Sequence, residues 1–369
     1  MASAAELAIV RLLVAFLFLA ACLPLLPVGA WVVRLFDFPR VQLAVAAAGS
    51  ALWLGWRVSR LSEPIESVIL LVLAIGVFLW QLSRILAYTP VWTPEVRAVE
   101  VATDGRLTIC VANVQYDNPS HTKTVEQLLQ RDDDLLLLIE IDEAWEAALE
   151  PLAKRYPYQA GRVLPEGHGI RLYSKLEVES VEVRYLVSEQ RPSVFAVLRD
   201  GAGQRIDFVG LHPTPPGLYD KDQGNRYDSR IRDAELLLVA KEIEQRRSAN
   251  WLVAGDFNDV AWSHTTRLFK RLSGLRDPRV GRGLYNTYHA DWWALRFPID
   301  HVFVSSTAEI HHLDRFRPEG SDHFAIVTEL QFASKADPKP SPVGNDRTDA
   351  EEIIEEGRDE AADRGEAAE

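Results

Sequence analysis

The decapeptide Ala249-Asn-Trp-Leu-Val-Ala-Gly-Asp-Phe-Asn258 is the most informative segment of this chain. Its apolar run stops at Gly255, and a carboxylate at Asp256 and an amide at Asn258 follow, two residues apart. A short apolar run that ends at a glycine is typical of a buried β-strand. A carboxylate at the end of such a strand costs free energy unless it is paired, hydrogen-bonded or bound to a metal ion. The segment therefore indicates a strand that leads into a polar site.

The same arrangement recurs at other apolar runs between positions 107 and 330. The polar residues found at the ends of these runs are Asn113, Glu140, His212, Asp300 and the pair Asp322 and His323. One such residue in a protein is usually a salt bridge or a turn cap. Six strand ends with this property indicate that the side chains converge on one site.

Between these polar groups the pattern is that of a mixed α/β domain. The predicted strands are 107–114, 134–141, 169–174, 193–198, 206–211, 251–254, 299–304 and 324–330. Their apolar residues are continuous, as in strands that are buried on both faces. Helical patterns occupy 120–130, 142–154 and 226–247. We predict a soluble domain over residues 107–333.

The first ninety residues have a different composition. Apolar stretches cover 7–33, 41–57 and 65–83, and about 20 apolar residues cross a hydrocarbon core. A cleavable signal peptide and a buried helical bundle are the alternatives, but the first stretch lacks a preceding basic region and two more stretches follow. We predict a membrane region over residues 1–90 with three transmembrane helices. Arginines divide almost evenly between the two sides, so they do not decide its orientation.

Two further segments flank the soluble domain. Residues 91–106 are predicted to be a linker. The segment 334–369 begins with a proline-rich stretch and holds much of the chain's net charge of −13, with twelve acidic and five basic residues from Lys335 onward. Because it has few large apolar side chains, we predict an acidic disordered tail, in which a short helix at 350–356 is possible.

The polar residues at the strand ends resemble the motifs of the endonuclease/exonuclease/phosphatase superfamily, which includes deoxyribonuclease I, abasic-site endonucleases, neutral sphingomyelinases and inositol polyphosphate 5-phosphatases. The motifs occur in the family's order, as Asn113, Glu140, His212, Gly255-Asp-Phe-Asn258, Ile299-Asp-His301 and Ser321-Asp-His323. The resemblance covers about 107–330. It implies an α/β (α+β) four-layer sandwich, in which two packed β-sheets are flanked by helices and the site lies at one end.

The resemblance also implies divalent-metal-dependent hydrolysis of a phosphoester, and it assigns roles to residues. Glu140, Asn113 and Asp322 are the expected ligands of Mg²⁺ or Mn²⁺, since these ions prefer oxygen ligands. The expected catalytic residues are His212, Asp256, Asn258, Asp300 and His323. In that reading Asp256 activates water and Asn258 donates to a phosphate oxygen. Asp300 would fix and charge His323, and His212 would contact phosphate or protonate the leaving group.

Alternatives remain open for several residues. Glu140 could form a strand-end salt bridge, and His212 could be an ordinary loop histidine beside prolines. His301 follows Asp300 directly and should point to the opposite face of its strand. Arg171 is an unusual charge in its strand, and either an ion pair or a phosphate contact would account for it.

The substrate is less defined than the reaction. A nuclease favours a basic surface, yet the chain is acidic, and the arginines at 226, 230, 232, 246 and 247 offer only a local patch. Trp292, Trp293 and Phe297 could enter a membrane interface, stack on a base or pack in their loop. We expect a nucleic acid or phospholipid substrate, contact with the lipid bilayer and no obligate protein partner. The expected location is the bacterial inner membrane, with the domain in the periplasm. The alternative is a catalytically inactive interaction module of the same fold, anchored to the membrane.

Overall fold

The computed structural model describes residues 4–26, 28–60, 65–216, 228–246, 248–336 and 338–368. Its first elements are helices α1 (Ala4–Cys22), α2 (Trp31–Arg34), α3 (Arg40–Arg60) and α4 (Ile65–Ile85). Within the described residues, three helical segments are long and apolar enough to cross a membrane, at Ala5–Leu25, Arg40–Arg60 and Ile65–Tyr88. At most a third of each segment is buried inside the structure. These three helices suggest a membrane anchor.

The first apolar stretch is divided rather than continuous. Helix α1 ends at Cys22, and a single 3₁₀ turn at Leu23–Leu25 follows, with Pro24 in its first residues. Proline has no N–H to donate and its ring clashes with the preceding turn, so a helix rarely continues through it. We call residues 28–39, which run from this break to the start of α3, the connector.

Two β-sheets form the centre of the remaining chain. The first has the order β1 (Arg97–Ala98), β11 (Ala308–Phe316), β12 (Ala325–Phe332), β2 (Leu107–Asn113), β3 (Leu135–Ile139), β5 (Ile170–Ser174) and β4 (Tyr158–Arg162). The second has the order β10 (Asp300–Val304), β9 (Trp251–Asp256), β8 (Arg205–Leu211), β7 (Pro192–Arg199) and β6 (Glu177–Tyr185). The pairs β1–β11, β2–β3 and β8–β9 are parallel, and the other pairs are antiparallel. Both sheets are therefore mixed.

Helices cover the outer face of each sheet. These helices are α5 (His121–Arg131), α6 (Glu143–Ala148), α7 (Glu150–Arg155), α8 (Arg230–Gln245), α9 (His264–Ser273) and α10 (Asp346–Arg364). One apolar cluster fills the space between the sheets, a second lies under α8 and α9, and a third lies under α5 to α7. The layers are thus helix, sheet, sheet and helix, and the predicted four-layer sandwich is confirmed.

The alternation of side chains explains why the strands are apolar throughout. In β9, Leu252 and Ala254 point into the space between the sheets, whereas Trp251 and Val253 pack against the helices. Successive side chains of a strand point to opposite faces, and here both faces are covered. Every position of such a strand is buried, which gives the continuous apolar runs seen in the sequence.

All eight predicted strands are present, with ends within two residues of the predicted ones. The sequence did not reveal the four other strands, β1, β4, β6 and β11. Strand β6 lies at a sheet edge, and most of its residues are exposed or half-buried, so it lacks the apolar signal. Strand β1 lies within the predicted linker 91–106 and pairs with β11. The helical pattern at 226–247 begins and ends at residues outside the described ones.

The acidic tail differs from the expectation of disorder. Residues 346–364 form helix α10, which packs against α8 and buries Ala350, Ile354, Gly357 and Ala361. These residues recur every three or four positions, so they share one helix face. Small side chains on this face allow α10 to approach α8 closely. The helix therefore packs without the large apolar residues whose scarcity led to the prediction of disorder.

Gly357 gives a test of this packing. A Cβ atom at this position would collide with Cβ of Ala234 and the carbonyl oxygen of Arg230 on α8. We expect Gly357→Val to lower the Tm by roughly 5 °C, because overpacking a tight contact costs about 1–3 kcal/mol. Arg358→Val adds the same side chain at an exposed neighbour and should leave the Tm almost unchanged. Equal melting of the two variants in thermal denaturation would contradict the packed helix.

Candidate active site

The inner faces of four strands lead to one edge of the sandwich. Asn113, His212, Asp256 and Asp300 each lie two residues from an inward-facing core position, and all four are buried. They therefore continue the inner face beyond the apolar core. Asp256 and Asp300 are also direct partners in the register of β9 and β10. The structure brings these four predicted residues together at the same edge.

Glu140 reaches the same edge by a different route. Alternation along β3 would turn position 140 toward the outer helices, since Ile139 faces inward. The backbone of Glu140 instead has φ +68°, in the left-handed region that a non-glycine residue rarely adopts. This turn redirects the carboxylate to the inner edge. Strain of this kind is common at functional sites.

Asn113 connects two of the carboxylates. Its Nδ2 donates to Oε1 of Glu140 at 2.8 Å and to Oδ2 of Asp256 at 3.2 Å. Its Oδ1 is turned away and accepts from the backbone N–H of Gln115 at 3.0 Å. Asn113 thus orients both carboxylates with its amide hydrogens, rather than facing the site with its oxygen as a metal ligand would.

Burial changes the acidity of both carboxyl groups. Burial raises the pKa of Glu140, and the hydrogen bond from Asn113 opposes this. Burial and the nearby charge of Asp300 raise the pKa of Asp256 to about 7. A carboxylate with a raised pKa is a better proton acceptor at neutral pH than an ordinary aspartate. Asp256 is therefore suited to act as a base.

Asp300 and His323 form a buried pair. Nδ1 of His323 lies 2.9 Å from Oδ2 of Asp300, and Nε2 lies 3.8 Å from Oδ2 of Asp256. Burial by itself would lower the pKa of His323, but Asp300, Asp256 and Asp322 together raise it to about 10. The imidazole is then charged at neutral pH, and its Nε2 is directed toward Asp256.

Neighbouring groups fix the position of His323. Its backbone N–H donates to Oγ of Ser321 at 3.0 Å, and that hydroxyl donates to the carbonyl oxygen of Asn113 at 2.8 Å. The ring of Tyr288 packs against the imidazole with centroids 4.9 Å apart. The backbone N–H of Asp300 donates to Oγ1 of Thr287 at 3.1 Å. The pair is therefore held by Thr287 and Tyr288, which precede β10, and by Ser321, which precedes β12.

These groups open into one cavity of about 670 Å³. Its polar lining includes Glu140, Arg191, His212, Asp256, Asn258, Asp322 and His323, and its apolar lining includes Trp31, Leu35, Phe38, Pro215, Pro216, Leu295 and Phe297. A wider cleft of about 950 Å³ between α8 and α10 is lined by none of the predicted site residues. Chemistry rather than size identifies the first cavity as the site.

Asn258 and His212 contribute to one side of this cavity. Asn258 has φ +51°, and its Nδ2 donates to the carbonyl oxygen of Pro213 at 3.0 Å. This bond uses one of the two amide hydrogens. His212 lies against Arg191, whose Nη1 is 3.1 Å from Nδ1 of the ring and which also donates to the carbonyl oxygen of Gly167. The guanidinium gives this side positive character.

The residues that could hold a metal ion form two overlapping sets. Asp256, Asp300 and His323 offer ligand atoms within 4.8 Å of one another. Two of these atoms, however, are already joined by the hydrogen bond between Asp300 and His323, which favours an acid–base pair. Glu140 and Asp322, both half-buried, carry further carboxylates and line the same cavity. A Cβ on Gly167 would lie 3.2 Å from Oε2 of Glu140, so the glycine leaves space beside this oxygen.

The chemistry of the site fits a hard divalent cation. Its donors are carboxylate and imidazole groups, and the two cysteines lie elsewhere, with Cys110 in the core and Cys22 at the end of α1. Carboxylate oxygens of this kind are common ligands of divalent metal ions.

Two residues that the sequence left outside the catalytic set do lie away from the site. His301 is buried against Phe257 and Phe303, and Nε2 faces the carbonyl oxygen of Asp259 at 2.8 Å. Burial and Arg279 lower the pKa of His301 to about 3, which keeps it neutral. Arg171 forms an ion pair with Glu146, so the ion-pair alternative is confirmed.

Sequence reasoning missed two contributors to the cavity. Arg191 lies directly before the first residue of β7, just as Asp300 is the first residue of β10. A charged residue at the start of an apolar strand is therefore the signal that could have identified Arg191. The other contributor is the connector, whose Trp31, Leu35 and Phe38 line the cavity. Motifs give no indication of this contact because it joins parts of the chain far apart in sequence.

Comparison with known proteins defines the class. Residues 110–323 match the model of the Endonuclease/Exonuclease/phosphatase family. Since the match spans more than half of the chain, the protein belongs to this family, and the resemblance seen in the motifs is confirmed. Relatives in the family are hydrolases that act on phosphoesters. A search of curated protein sequences gives no significant match.

Solved structures agree with the fold. A humanized D. rerio TDP2 carrying 14 mutations is similar with a TM-score of 0.51 and 18% identity, over 62% of this chain and 99% of that one. An endonuclease/exonuclease/phosphatase from Beutenbergia cavernae DSM 12333 gives a TM-score of 0.50 and 16% identity, over 62% of this chain and 72% of that one. At such identities the likeness concerns the fold alone.

The buried pair predicts a characteristic mutational pattern. Asp300→Asn and His323→Ala should each slow hydrolysis of bis(p-nitrophenyl) phosphate by roughly 10²–10⁴-fold, as expected for a positioned acid–base group. The double variant should be little slower than either single variant, because the two residues act as one unit. The measurement is kcat of the full chain in detergent with Mg²⁺ or Mn²⁺.

The chain offers a matched control in the exposed pair His312 and Asp314, whose side chains approach to 4.0 Å. His312→Ala and Asp314→Asn should retain full activity. Losses at Asp300 and His323 that simply multiply would show that these residues work independently.

Proposed function

We propose that this protein is a membrane-anchored, divalent-metal-dependent phosphoesterase that hydrolyses a phosphodiester or phosphomonoester. The observation that carries the proposal is the buried Asp300–His323 pair beside Asp256 and Glu140 in one cavity. Hydrolysis at phosphorus needs a neutralised phosphate charge, an activated water and a protonated leaving group. The cavity contains groups suited to each requirement.

Glu140 is the proposed principal ligand of the ion, and Asp322 is proposed to complete the protein's share of the ligands. Asn113 holds the carboxylate of Glu140 through its Nδ2, so we assign it a positioning role. When bound, Mg²⁺ or Mn²⁺ supplies positive charge next to a phosphate oxygen.

Asp256 accepts a proton from the attacking water in this proposal. Its raised pKa makes the carboxylate basic enough at neutral pH, and the backbone N–H of Asn258 holds its Oδ1 at 2.9 Å. Charged His323 donates from Nε2 to a phosphate oxygen, while Asp300 holds Nδ1. Hydrogen bonds to developing charge in a site shielded from water are among the strongest contributions to catalysis.

The free amide hydrogen of Asn258 is placed to reach a second phosphate oxygen. His212 and Arg191 line the same cavity and provide a further contact for the phosphate or the leaving oxygen. Arginine suits phosphate because its planar donors match the oxygens. These three residues share the binding of the phosphoester in the proposed mechanism.

An inactive interaction module of the same fold is the second candidate function. It would be expected to lose one or more of the five residues Glu140, Asp256, Asn258, Asp300 and His323. All five are present, and all of them except Asp300 line the cavity. The retained groups favour an enzyme.

The substrate class is nucleic acid or phospholipid in this proposal. The arginines that could make a basic patch are engaged in ion pairs where they are described. Arg230 pairs with Asp228 and Glu360, Arg232 with Asp233, and Arg246 with Glu242, whereas Arg226 and Arg247 lie outside the described residues. These pairs reduce the positive charge available to a nucleic acid, for which phosphate contacts dominate affinity.

Metal binding gives a direct test. Titration of the full chain with Mn²⁺ in a calorimeter should show a binding site that weakens at least about tenfold in Glu140→Gln, because a neutral amide replaces an anionic ligand. Glu143→Gln changes an exposed glutamate three residues away and should bind Mn²⁺ normally. Unchanged affinity in Glu140→Gln would remove Glu140 as a ligand.

We propose further that the anchor lies in a bacterial inner membrane, with the catalytic domain on the periplasmic side. The side follows from the resemblance to membrane-anchored bacterial members of the family. Alkaline phosphatase, which is active only in the periplasm, should be active when fused to the C-terminus of the full chain. A fluorescent cytoplasmic reporter at the same position should stay dark, and fluorescence there would contradict this orientation.

A further inference from the structure

One wall of the active-site cavity comes from the membrane region. Trp31, Leu35, Phe38 and Pro39 of the connector line the cavity together with the proposed catalytic residues. Helix α3 begins at Arg40, immediately after this segment. The wall therefore lies at the membrane end of the domain, and it is mainly apolar.

Specific contacts hold the connector against the domain. Nε1 of Trp262 donates to the carbonyl oxygen of Asp37 at 2.7 Å. The rings of Phe38 and Phe297 meet edge to face with centroids 5.5 Å apart. Asp37 is itself buried and paired with Arg40. The connector is thus part of the packed structure around the site.

Arg34 adds a positive charge to this wall. Arg34 lines the same cavity and also a neighbouring cleft that His264 lines, and its Nε is shielded from solvent. Among the residues that the structure describes, Arg34 has no hydrogen-bond acceptor or ion-pair partner. Arginine is well suited to phosphate, because its planar donors match the phosphate oxygens. A substrate in the cavity that carries an anionic oxygen can therefore pair with Arg34.

The mouth of the cavity is bordered by a second apolar segment. Trp292 and Trp293 are 61% and 82% exposed, and Leu295 beside them lines the cavity. Nε2 of Gln42, in the first turn of α3, donates to the carbonyl oxygen of Ala294 at 2.6 Å. This bond places the loop next to the end of a membrane helix, where tryptophan is favoured at the lipid–water interface.

We propose that residues 31–38 of the connector are a substrate-binding element for a phospholipid. Arg34 binds an anionic oxygen of the headgroup, and Trp31, Leu35 and Phe38 contact the part of the lipid nearest its tails. The substrate enters the cavity from the leaflet that faces the domain. This inference rests on the proposed function and deepens it, since it selects one substrate class.

The reaction is hydrolysis at phosphorus. The oxygen of water forms a bond to phosphorus, one phosphorus–oxygen ester bond breaks, and the released alcohol takes up a proton. Water is the only co-reactant needed. The identity of the products shows which of the two ester bonds of the phospholipid is cleaved.

The test uses the full chain reconstituted in vesicles of phosphatidylethanolamine and phosphatidylglycerol, with Mn²⁺. Three activities are measured: release of phosphorus-containing products from the lipid, hydrolysis of bis(p-nitrophenyl) phosphate, and cleavage of a single-stranded DNA oligonucleotide. We expect lipid hydrolysis to exceed DNA cleavage. Cleavage of DNA with no lipid hydrolysis would overturn the proposal in favour of a nucleic acid.

Variants of the connector test its role directly. Arg34→Gln and Leu35→Ser should lower the ratio of lipid hydrolysis to soluble diester hydrolysis by roughly tenfold, mainly through a higher KM for lipid. Val32→Ser alters an exposed residue of the same helix that does not line the cavity, and Arg60→Gln alters an exposed arginine at the far end of α3. Both controls should keep the ratio.

The outcomes separate this inference from the proposed function. An unchanged ratio in Arg34→Gln and Leu35→Ser, with a Tm equal to that of the parent protein, would overturn the connector's role. Hydrolysis of the soluble diester without any lipid hydrolysis would overturn it as well, while leaving a phosphoesterase. If the unmodified chain shows none of the three activities, the proposed function itself is overturned, and the inference with it.

Discussion

Burial of negative charge is the constraint on which the site depends. Glu140, Asp256 and Asp300 lie at one edge between two sheets, where little water screens their mutual repulsion. Asn113 donates to the first two, and His323 places its charge between the last two. Asn113 ends β2 and His323 lies just before β12, both strands of the first sheet, whereas Asp256 and Asp300 belong to the second, so the edge is stable only when the sheets pack in their present register. Fold and chemistry are therefore tied together.

Much of this arrangement could be predicted from the sequence. A strand that is buried on both faces appears as a continuous apolar run, and a polar residue at the end of such a run is easily recognised. Asp256 and Asp300 follow from that rule. The same rule found Glu140 but did not predict its direction, since alternation would turn it outward and only its left-handed backbone brings it in. Helix α10 was missed for another reason. Its contact with α8 depends on small residues such as Gly357. A segment rich in small and charged residues is predicted to be disordered when composition alone is considered.

Arg34 shows a further limit of sequence reasoning. An arginine between two apolar stretches is expected to lie at a membrane surface, and such residues are usually taken as topology signals. Its place in the cavity depends on the break after α1 and on the packing of the connector against Trp262 and Phe297. None of these contacts leaves a pattern in the local sequence. They follow from how the anchor and the domain share one core.

That shared core has a consequence for how the protein finds its substrate. A domain on a loose tether samples many heights and tilts above a bilayer, whereas the bonds from Trp262 to Asp37 and from Gln42 to Ala294 fix this one in a single pose. Its cavity stays at a constant level relative to the helices. For the proposed phospholipid substrate, encounters would then occur by diffusion within a plane, and the rate would depend on the surface density of the lipid rather than on its concentration in bulk water.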